Sequence, residues 1–422
     1  MRGAFVAIAL MIGALSVTVD SAGAQGCNAN NSSEMSMVDP DDGAEQWRTE
    51  SEWTQESLLL HHDGRLIAAT SDIHNSPELF AVDAEDGREL WSTDLPDDYV
   101  NDGPAMVDGV VVLLMGQTLR GYDPTSGSEL WAQSTGASSS TRIETHEGLV
   151  FVFDGTFVVA FQARDGQERW RRETTDDGSN EPMVERDMVF MGQLRGPLLA
   201  LDPMTGEVLW EGPAPAQKLR RFDVLGTGGG QVIVVDSPRR PDAPERLVAI
   251  DLESQKVTWS RDLRGDYYYA RMFGDLVFDS AQRLFAIDSR TGEVRWRYRP
   301  SSENSHDRVI HATRHADGVF VRWTRTNRVR VLDARSGATK WATRVEGRLI
   351  QEPVIQDDVV YQPLFRIRNY YGGDGNTGGL AALRLGSGEP LWSVSTDKAV
   401  LELADAGASL AVLAADPLLF CD

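Results

Sequence analysis

The sequence predicts an all-β protein of the β-propeller class, in which four-stranded antiparallel sheets follow one another around a ring. Three observations support this prediction. A short phrase recurs along the chain: an aspartate, a glycine four residues later, and a tryptophan four residues after the glycine. The tryptophans of neighbouring copies lie 37 to 51 residues apart, and two further strand-like runs lie between them. Four short strands in each period of about forty residues are typical of propeller blades.

The phrase is complete in six places and carries one substitution in three more. The complete copies are Asp39/Gly43/Trp47, Asp83/Gly87/Trp91, Asp123/Gly127/Trp131, Asp202/Gly206/Trp210, Asp288/Gly292/Trp296 and Asp333/Gly337/Trp341. In the other copies Gln162 precedes Gly166 and Trp170, Gln255 replaces the glycine between Asp251 and Trp259, and Arg384 precedes Gly388 and Trp392. Nine of the eleven tryptophans belong to the phrase, so we interpret it as a structural repeat.

Each copy of the phrase is expected to form a β-hairpin. An aspartate at the end of one strand accepts hydrogen bonds from the amides of a turn. The glycine takes the positive φ that ends such a loop, and the tryptophan strand then begins. An indole covers a large area between neighbouring sheets while its N–H reaches a polar partner. The phrase therefore predicts both the turn and the contact between blades.

The last sheet is expected to combine the two ends of the chain. After Trp392 the runs "AVLELADAG", "ASLAVLAAD" and "PLLFCD" predict three strands, and the strand around Trp47 supplies the fourth. Closure by an N-terminal strand leaves no open sheet edge. Nine copies of the phrase correspond to nine sheets, whereas the resemblance to a known family implies eight. Eight blades in one domain over residues 38–422 are the prediction, with nine as the alternative.

The hairpin phrase resembles the tryptophan-docking repeat of the pyrroloquinoline-quinone-type (PQQ-type) β-propellers. Within that family, exported chains of this size without a second domain look like the BamB-type lipoproteins of the outer-membrane β-barrel assembly machinery. The resemblance implies a non-catalytic scaffold that binds envelope proteins through its loops. It also implies an alternative, a PQQ-dependent dehydrogenase, which would use an adjacent cysteine pair and calcium ligands; the sequence has no such cysteine pair. A third hypothesis is a periplasmic sensor that binds a small molecule.

The N-terminus has the features of an export signal. Arg2 is followed by the apolar run Ala4–Leu15 and by the small residues Ala22-Gly23-Ala24, so residues 1–24 are expected to be a signal peptide. Residues 25–37 are small and polar, which predicts a flexible tether. No later segment reaches the roughly 18 consecutive apolar residues of a membrane span. The net charge of −23 argues against nucleic acid and anionic lipid as partners.

No catalytic, cofactor-binding or metal site is expected, and the propeller is expected to be a monomer. The chain has only two cysteines, and neither a C-x-x-C spacing nor a P-loop occurs. Two fates remain open for Cys27. It is either the lipidated first residue of a mature lipoprotein, or, after cleavage following Ala24, the partner of Cys421 in a disulfide.

Overall fold

Strands alone make up the regular structure of the described residues. The computed structural model describes residues 33–51, 58–70, 77–96, 100–137, 142–174, 182–192, 196–212, 220–238, 245–263, 269–280, 283–299, 309–323, 327–349, 353–366, 377–406 and 409–415. They form 37 β-strands in nine antiparallel sheets. Within these residues there is no helix with the length and apolar character that a membrane crossing requires. The predicted all-β propeller of four-stranded sheets is confirmed.

The first four blades follow one another in sequence, each with its strands paired in chain order. Blade 1 contains β3 (Leu58–His62), β4 (Arg65–Ala69), β5 (Glu78–Asp83) and β6 (Glu89–Asp94), and blade 2 contains β7 (Val100–Val107), β8 (Val110–Met115), β9 (Thr118–Tyr122) and β10 (Glu129–Ser134). Blade 3 contains β11 (Ile143–His146), β12 (Leu149–Phe153), β13 (Phe157–Gln162) and β14 (Glu168–Glu173), and blade 4 contains β15 (Met183–Glu185), β16 (Met188–Met191), β17 (Leu199–Leu201) and β18 (Val208–Glu211). In every blade the fourth strand carries the tryptophan of the phrase.

The next four blades repeat this order, and the innermost strand of blade 8 is divided in two. Blade 5 contains β19 (Arg220–Gly228), β20 (Gln231–Pro238), β21 (Arg246–Asp251) and β22 (Val257–Asp262), and blade 6 contains β23 (Tyr269–Phe273), β24 (Leu276–Ser280), β25 (Leu284–Asp288) and β26 (Val294–Tyr298). Blade 7 contains β27 (Val309–His315), β28 (Gly318–Trp323), β29 (Arg328–Asp333) and β30 (Thr339–Arg344). Blade 8 contains β31 (Arg348–Leu349), β32 (Val354–Gln356), β33 (Val359–Arg366), β34 (Thr377–Arg384) and β35 (Pro390–Thr396).

Blade 9 closes the ring with two strands from each end of the chain. Strands β36 (Ala399–Asp405) and β37 (Leu410–Ala415) come from the C-terminal end, and β1 (Ser33–Val38) and β2 (Glu45–Ser51) from the N-terminal end. Closure by an N-terminal strand is therefore confirmed. The third strand of the blade is β1 and not "PLLFCD", whose residues 417–422 lie outside the described part. The structure decides for nine blades, so the expectation of eight, which came from the family resemblance, is corrected.

Strand β1 also corrects the last part of the expected tether of residues 25–37, namely residues 33–37. Its side chains Met35 and Met37 are 0% and 1% exposed and pack with Trp47 and with residues of blade 1. Small polar residues surround these methionines in the sequence, which is why the stretch was interpreted as a tether. Burial of the methionines and pairing on both sides make residues 33–37 part of an internal strand. Residues 1–32, which include the expected signal peptide and Cys27, lie outside the described residues.

The hydrophobic core is divided among the contacts between blades. Each of nine buried clusters combines residues from two neighbouring blades, and together they join every blade to the next, including blade 9 to blade 1. Because each blade is apolar on both faces, a single blade cannot cover its own surface. The stability of the fold therefore depends on the contacts between blades.

Candidate functional site

The aspartate of the phrase holds the hairpin turn. Oδ1 of Asp123 accepts hydrogen bonds from the backbone N–H groups of Thr125 and Ser126, both at 2.8 Å. The N–H of Gly127 donates to the carbonyl oxygen of Asp123 at 2.9 Å, and Gly127 has φ +71°. Equivalent carboxylate bonds to turn amides are made by Asp39, Asp83, Asp202, Asp251, Asp288 and Asp333.

These hydrogen bonds favour the ionised aspartate. The backbone N–H of Ser126 lowers the pKa of Asp123, and that of Thr205 lowers the pKa of Asp202. The hydroxyl of Ser254 is the main cause of the lowered pKa of Asp251. At neutral pH these carboxylates are charged acceptors, which strengthens their bonds to the turn.

At eight of the nine junctions the tryptophan of one blade packs on the glycine of the next blade. A Cβ added to Gly127 would lie 2.3 Å from Cε3 of Trp91, so only glycine leaves room for the indole. Nε1 of Trp91 donates to the carbonyl oxygen of Pro124 in the same turn, at 3.2 Å. Eight junctions have both the indole-on-glycine contact and the indole hydrogen bond: Trp47–Gly87, Trp91–Gly127, Trp131–Gly166, Trp170–Gly206, Trp259–Gly292, Trp296–Gly337, Trp341–Gly388 and Trp392–Gly43.

Two features of this docking were missed by the reasoning from sequence. The glycine serves the tryptophan of the preceding blade as well as its own turn, and the small residue before each turn, such as Ala81, lies opposite the tryptophan of its own hairpin, here Trp91. Gly166 and Gly388 are present in copies without the aspartate, but both still have positive φ, +67° and +72°, and donate to the carbonyl oxygen of the first turn residue. The turn alone accounts for these glycines, so the contact between blades is visible only in the structure.

The ninth junction, between blades 4 and 5, lacks the indole hydrogen bond. Its turn contains Gln255 in place of glycine, with φ +60° and with the same N–H bond to the carbonyl oxygen of Asp251, at 2.9 Å. Trp210 is buried and packs beside Phe190, with ring centroids 6.2 Å apart. In the described part of the chain its Nε1 has no hydrogen-bond partner.

One face of the ring carries short turns whose charges are internally paired. We call it the hairpin face; it contains the turns between the first and second strands and between the third and fourth strands of each blade. Carboxylates of the first group of turns form ion pairs at 2.5 to 3.3 Å: Asp63 with Arg65, Asp108 with Arg164, Asp275 with Arg295 and Arg314, and Asp317 with Lys340. The hairpin face is thus acidic, with many of its charges already neutralised.

The opposite face carries the connections between the second and third strands and between successive blades. We call it the connection face. Its connections range from the two residues Gly116 and Gln117, between β8 and β9, to residues 367–376, between β33 and β34. Residues 212–219 and 299–308 form two further long connections between blades. In the described part of the chain, no group of three or more His, Cys, Asp or Glu residues is arranged to hold a metal ion.

Comparison with known families gives a match over residues 31–123, 115–277 and 280–419, which together span nearly the whole ring. The matched family is described as outer membrane protein assembly factor BamB. The chain belongs to the BamB family. Its membership agrees with the resemblance of the hairpin phrase to the PQQ-type propellers.

Individual BamB proteins are similar to this chain over part of their length. BamB of Alkalilimnicola ehrlichii is 30% identical over 28% of this chain and 32% of its own. BamB of Shewanella oneidensis is 24% identical over 45% of this chain and 51% of its own. The chain thus matches about a third to a half of the length of these curated relatives. The crystal structure of BamB from Moraxella catarrhalis shares the fold, with a TM-score of 0.51 at 15% identity over 85% of this chain and 96% of that one.

Proposed function

We propose that this protein is an exported, non-catalytic propeller that binds envelope proteins and takes part in the assembly of outer-membrane proteins. The observation that carries the proposal is the family match, which extends from the first to the last blade and whose description names outer-membrane protein assembly. A match of this extent concerns the ring as a whole and not a single motif.

The repeat residues themselves serve the ring. The aspartates bond to turn amides, and eight indoles bond to the turn of the next blade. Side chains engaged in this way hold the turns and the junctions between blades. Binding is therefore assigned to the surfaces that the repeat leaves variable, which in a propeller are the loops of one face.

The connection face fits this role better than the hairpin face. Turns of the hairpin face are short and uniform, and ion pairs such as Asp317 with Lys340, at 2.7 Å, already use their charge. Connections of the opposite face differ in length from blade to blade. Differences in loop length allow a ring of similar blades to present one specific surface. The net charge of −23 favours a neutral or basic protein surface as the partner.

Site-specific photo-crosslinking in the source cell tests which face binds and what it binds. The crosslinking side chain is placed at Gln117 or Asp397, both exposed on the connection face, and as matched controls at Glu85 or Glu253, both exposed on the hairpin face. We expect a crosslink from the connection face to a component of the outer-membrane assembly machinery and none from the hairpin face. Crosslinks from the hairpin face alone, or to no such component, would overturn the proposal.

The two other readings make different predictions for the purified protein. A PQQ-dependent dehydrogenase would acquire a bound chromophore from PQQ and calcium ions and would oxidise alcohols in a dye-linked assay. A small-molecule sensor would show a rise in its thermal midpoint with a periplasmic metabolite. The scaffold proposal predicts neither response, and quinone binding with turnover would replace it.

A further inference from the structure

One pair of residues at the open end of each hairpin carries a charge that differs from blade to blade. The pair joins the third and fourth strands at the connection face, and its fourth-strand member stands three residues after the tryptophan. In blade 5 the pair is Arg246 and Asp262, which are partners in the ladder and form an ion pair at 3.1 Å. In blade 1 it is Glu78 and Asp94. Opposite charges, as in blade 5, are the favourable arrangement directly across an antiparallel pair.

Blades 6 and 7 have two arginines at this position. In blade 7 Arg328 is the direct partner of Arg344. In blade 6 Arg283 and Arg299 flank the last pair of the ladder between β25 and β26. All four residues are exposed, and within the described residues Arg283, Arg299 and Arg344 form no ion pair. Like charges directly opposite one another destabilise a sheet, so two neighbouring blades accept the same unfavourable arrangement at the same position.

The same two blades pair their arginines at the hairpin face. There Arg295 of blade 6 and Arg314 of blade 7 both contact the carboxylate of Asp275, at 2.8 and 2.9 Å. A general surplus of arginine therefore does not explain the pairs of like charge, which are confined to the connection face.

The arginines of blade 7 lie on the side of the sheet that faces blade 6. The intervening residue Val329 and the next residue of the same parity, Val331, are buried with Trp341 in the cluster that joins blade 7 to blade 8. Because side chains alternate along a strand, Arg328 and Arg344 lie on the opposite side. Neighbouring sheets pack about 10 Å apart, so a segment of a few extended residues can reach the arginines of both blades.

We propose that Arg283, Arg299, Arg328 and Arg344, together the arginine site, bind an acidic segment of a partner protein. Each guanidinium can donate two parallel N–H bonds to a carboxylate, and the carboxylates remove the repulsion within each pair of arginines. The proposal rests on the proposed binding role of the connection face and names the chemistry of the surface that is bound there.

The charge of the rest of the molecule favours a protein segment over a membrane as the occupant. The net charge is −23, and Asp94 and Asp397 are exposed on the same face as the arginine site. An extended anionic lipid surface would bring these carboxylates against headgroups of the same charge, whereas a short segment contacts the arginines alone. The partner is therefore a neutral or basic protein that has one acidic segment.

Blade 5 provides the design of the first test. Arg299→Asp together with Arg344→Asp gives blades 6 and 7 the arginine–aspartate pair of blade 5, so the midpoint of thermal unfolding should stay the same or rise. Binding is measured by fluorescence anisotropy with a labelled oligoglutamate peptide at low ionic strength. We expect the double variant to bind about tenfold more weakly than the natural chain. Asp94→Asn, at the same position of blade 1, is the control and should bind no more weakly.

Three results of this test would overturn the proposal. They are the absence of oligoglutamate binding by the natural chain, equal binding by the double variant, and equal binding of an oligoglutamine peptide. Sedimentation of the natural chain, but not of the double variant, with vesicles of phosphatidylglycerol and phosphatidylcholine would assign the arginines to a membrane instead and would also overturn it.

Crosslinking in the source cell identifies the segment. A photo-crosslinking side chain is placed at Ala342, which is exposed and lies on the same sheet face as Arg344. We expect an adduct to a peptide with clustered Asp and Glu residues, and its loss in the double variant. Adducts from Gln117 alone, or an Ala342 adduct that the double variant retains, would overturn this proposal and leave the scaffold function in place. The absence of adducts from both positions would overturn the scaffold function and this proposal with it.

Discussion

Two imperfect copies of the hairpin phrase have opposite consequences for the ring. The copy that receives Trp131 has lost its aspartate, which is Gln162, but keeps Gly166; Nε1 of Trp131 donates to the carbonyl oxygen of Ala163 at 2.9 Å. The copy that receives Trp210 keeps Asp251 but has Gln255 for glycine, and within the described residues Nε1 of Trp210 is unpaired. The two indoles are equally buried, at 8% and 7% exposure. Docking therefore depends on the glycine and not on the aspartate.

The reason is steric. At Gly166 an added Cβ would lie 2.6 Å from the ring of Trp131, closer than any real contact allows. Gln255 has that Cβ and still adopts φ +60°. The turn is therefore kept, but the space into which an indole packs on a glycine is filled. A buried N–H without a partner costs about 1–3 kcal/mol, and a non-glycine residue at positive φ costs about 1 kcal/mol more. The junction between blades 4 and 5 is thus weaker than the other eight.

The largest expected effect is the loss of an indole at a complete junction. Trp131→Ala should lower the free energy of unfolding by about 3–5 kcal/mol, because it removes a buried aromatic side chain and its hydrogen bond. Trp210→Ala should cost about 1 kcal/mol less, since no hydrogen bond is lost there. Urea denaturation of both variants measures the difference. Equal losses would show that the missing bond has no energetic meaning.

A glutamine introduced at a complete junction should reproduce the weak one. We expect Gly166→Gln to lower the free energy of unfolding by about 3 kcal/mol, from the strain at positive φ and the displacement of Trp131. Gln162→Asp, in the same turn, is the control and should change stability little. The measurement is the denaturation midpoint of each variant. A larger shift of the midpoint in Gln162→Asp than in Gly166→Gln would contradict the claim that docking depends on the glycine.

The reverse change should repair the weak junction. Gln255→Gly relieves the strain of a non-glycine residue at positive φ and removes the side chain at the position on which the indole packs in the other junctions. The N–H of Trp210 can then reach the carbonyl oxygen of Leu252, which stands at the position that accepts in every other junction. We expect a gain of about 1–2 kcal/mol in the free energy of unfolding. Hydrogen exchange should show that the gain is concentrated in the amides of blades 4 and 5. A destabilised variant would refute the steric explanation.

The smallest difference is expected in acid, where the two kinds of turn should behave alike. Hydrogen bonds lower the folded pKa of both Asp123, chiefly through the N–H of Ser126, and Asp251, chiefly through the hydroxyl of Ser254. A lowered carboxyl pKa means stability that is complete above the unfolded value near 3.8 and is lost as the pH falls through the folded value. Carbon NMR titration should place both midpoints below 3.8. A normal midpoint for Asp251 would show that the loss of glycine also disturbs the turn.

Much of the fold could be predicted because the repeat is local. The phrase occupies nine residues, for example Asp123, Gly127 and Trp131, so the sequence alone predicts the hairpin turn. The spacing of its copies predicts the length of a blade. The contact of Gly127 with Trp91 could not be predicted from the sequence, because it joins two blades and depends on how they pack. For the same reason β1 was missed: Met35 and Met37 are recognisable as core residues only once β37 and blade 1 lie beside them.

The candidate binding surface could be predicted less well than the ring. Reasoning from sequence assigned binding to the loops, and the strand order now shows which connections share one face. Loop sequences such as residues 299–308 carry no repeat and no catalytic motif, so neither periodicity nor turn chemistry constrains what they bind.

The central claim is that the turn glycine leaves room for the indole of the preceding blade and so allows its hydrogen bond to the turn. A double-mutant cycle tests this claim most directly. Trp210→Phe, which removes the indole N–H and shortens the ring system, is measured in the natural chain and in the Gln255→Gly variant. The account predicts that it costs about 1 kcal/mol more in the glycine background, where the N–H has an acceptor. The same cost in both backgrounds would contradict the claim.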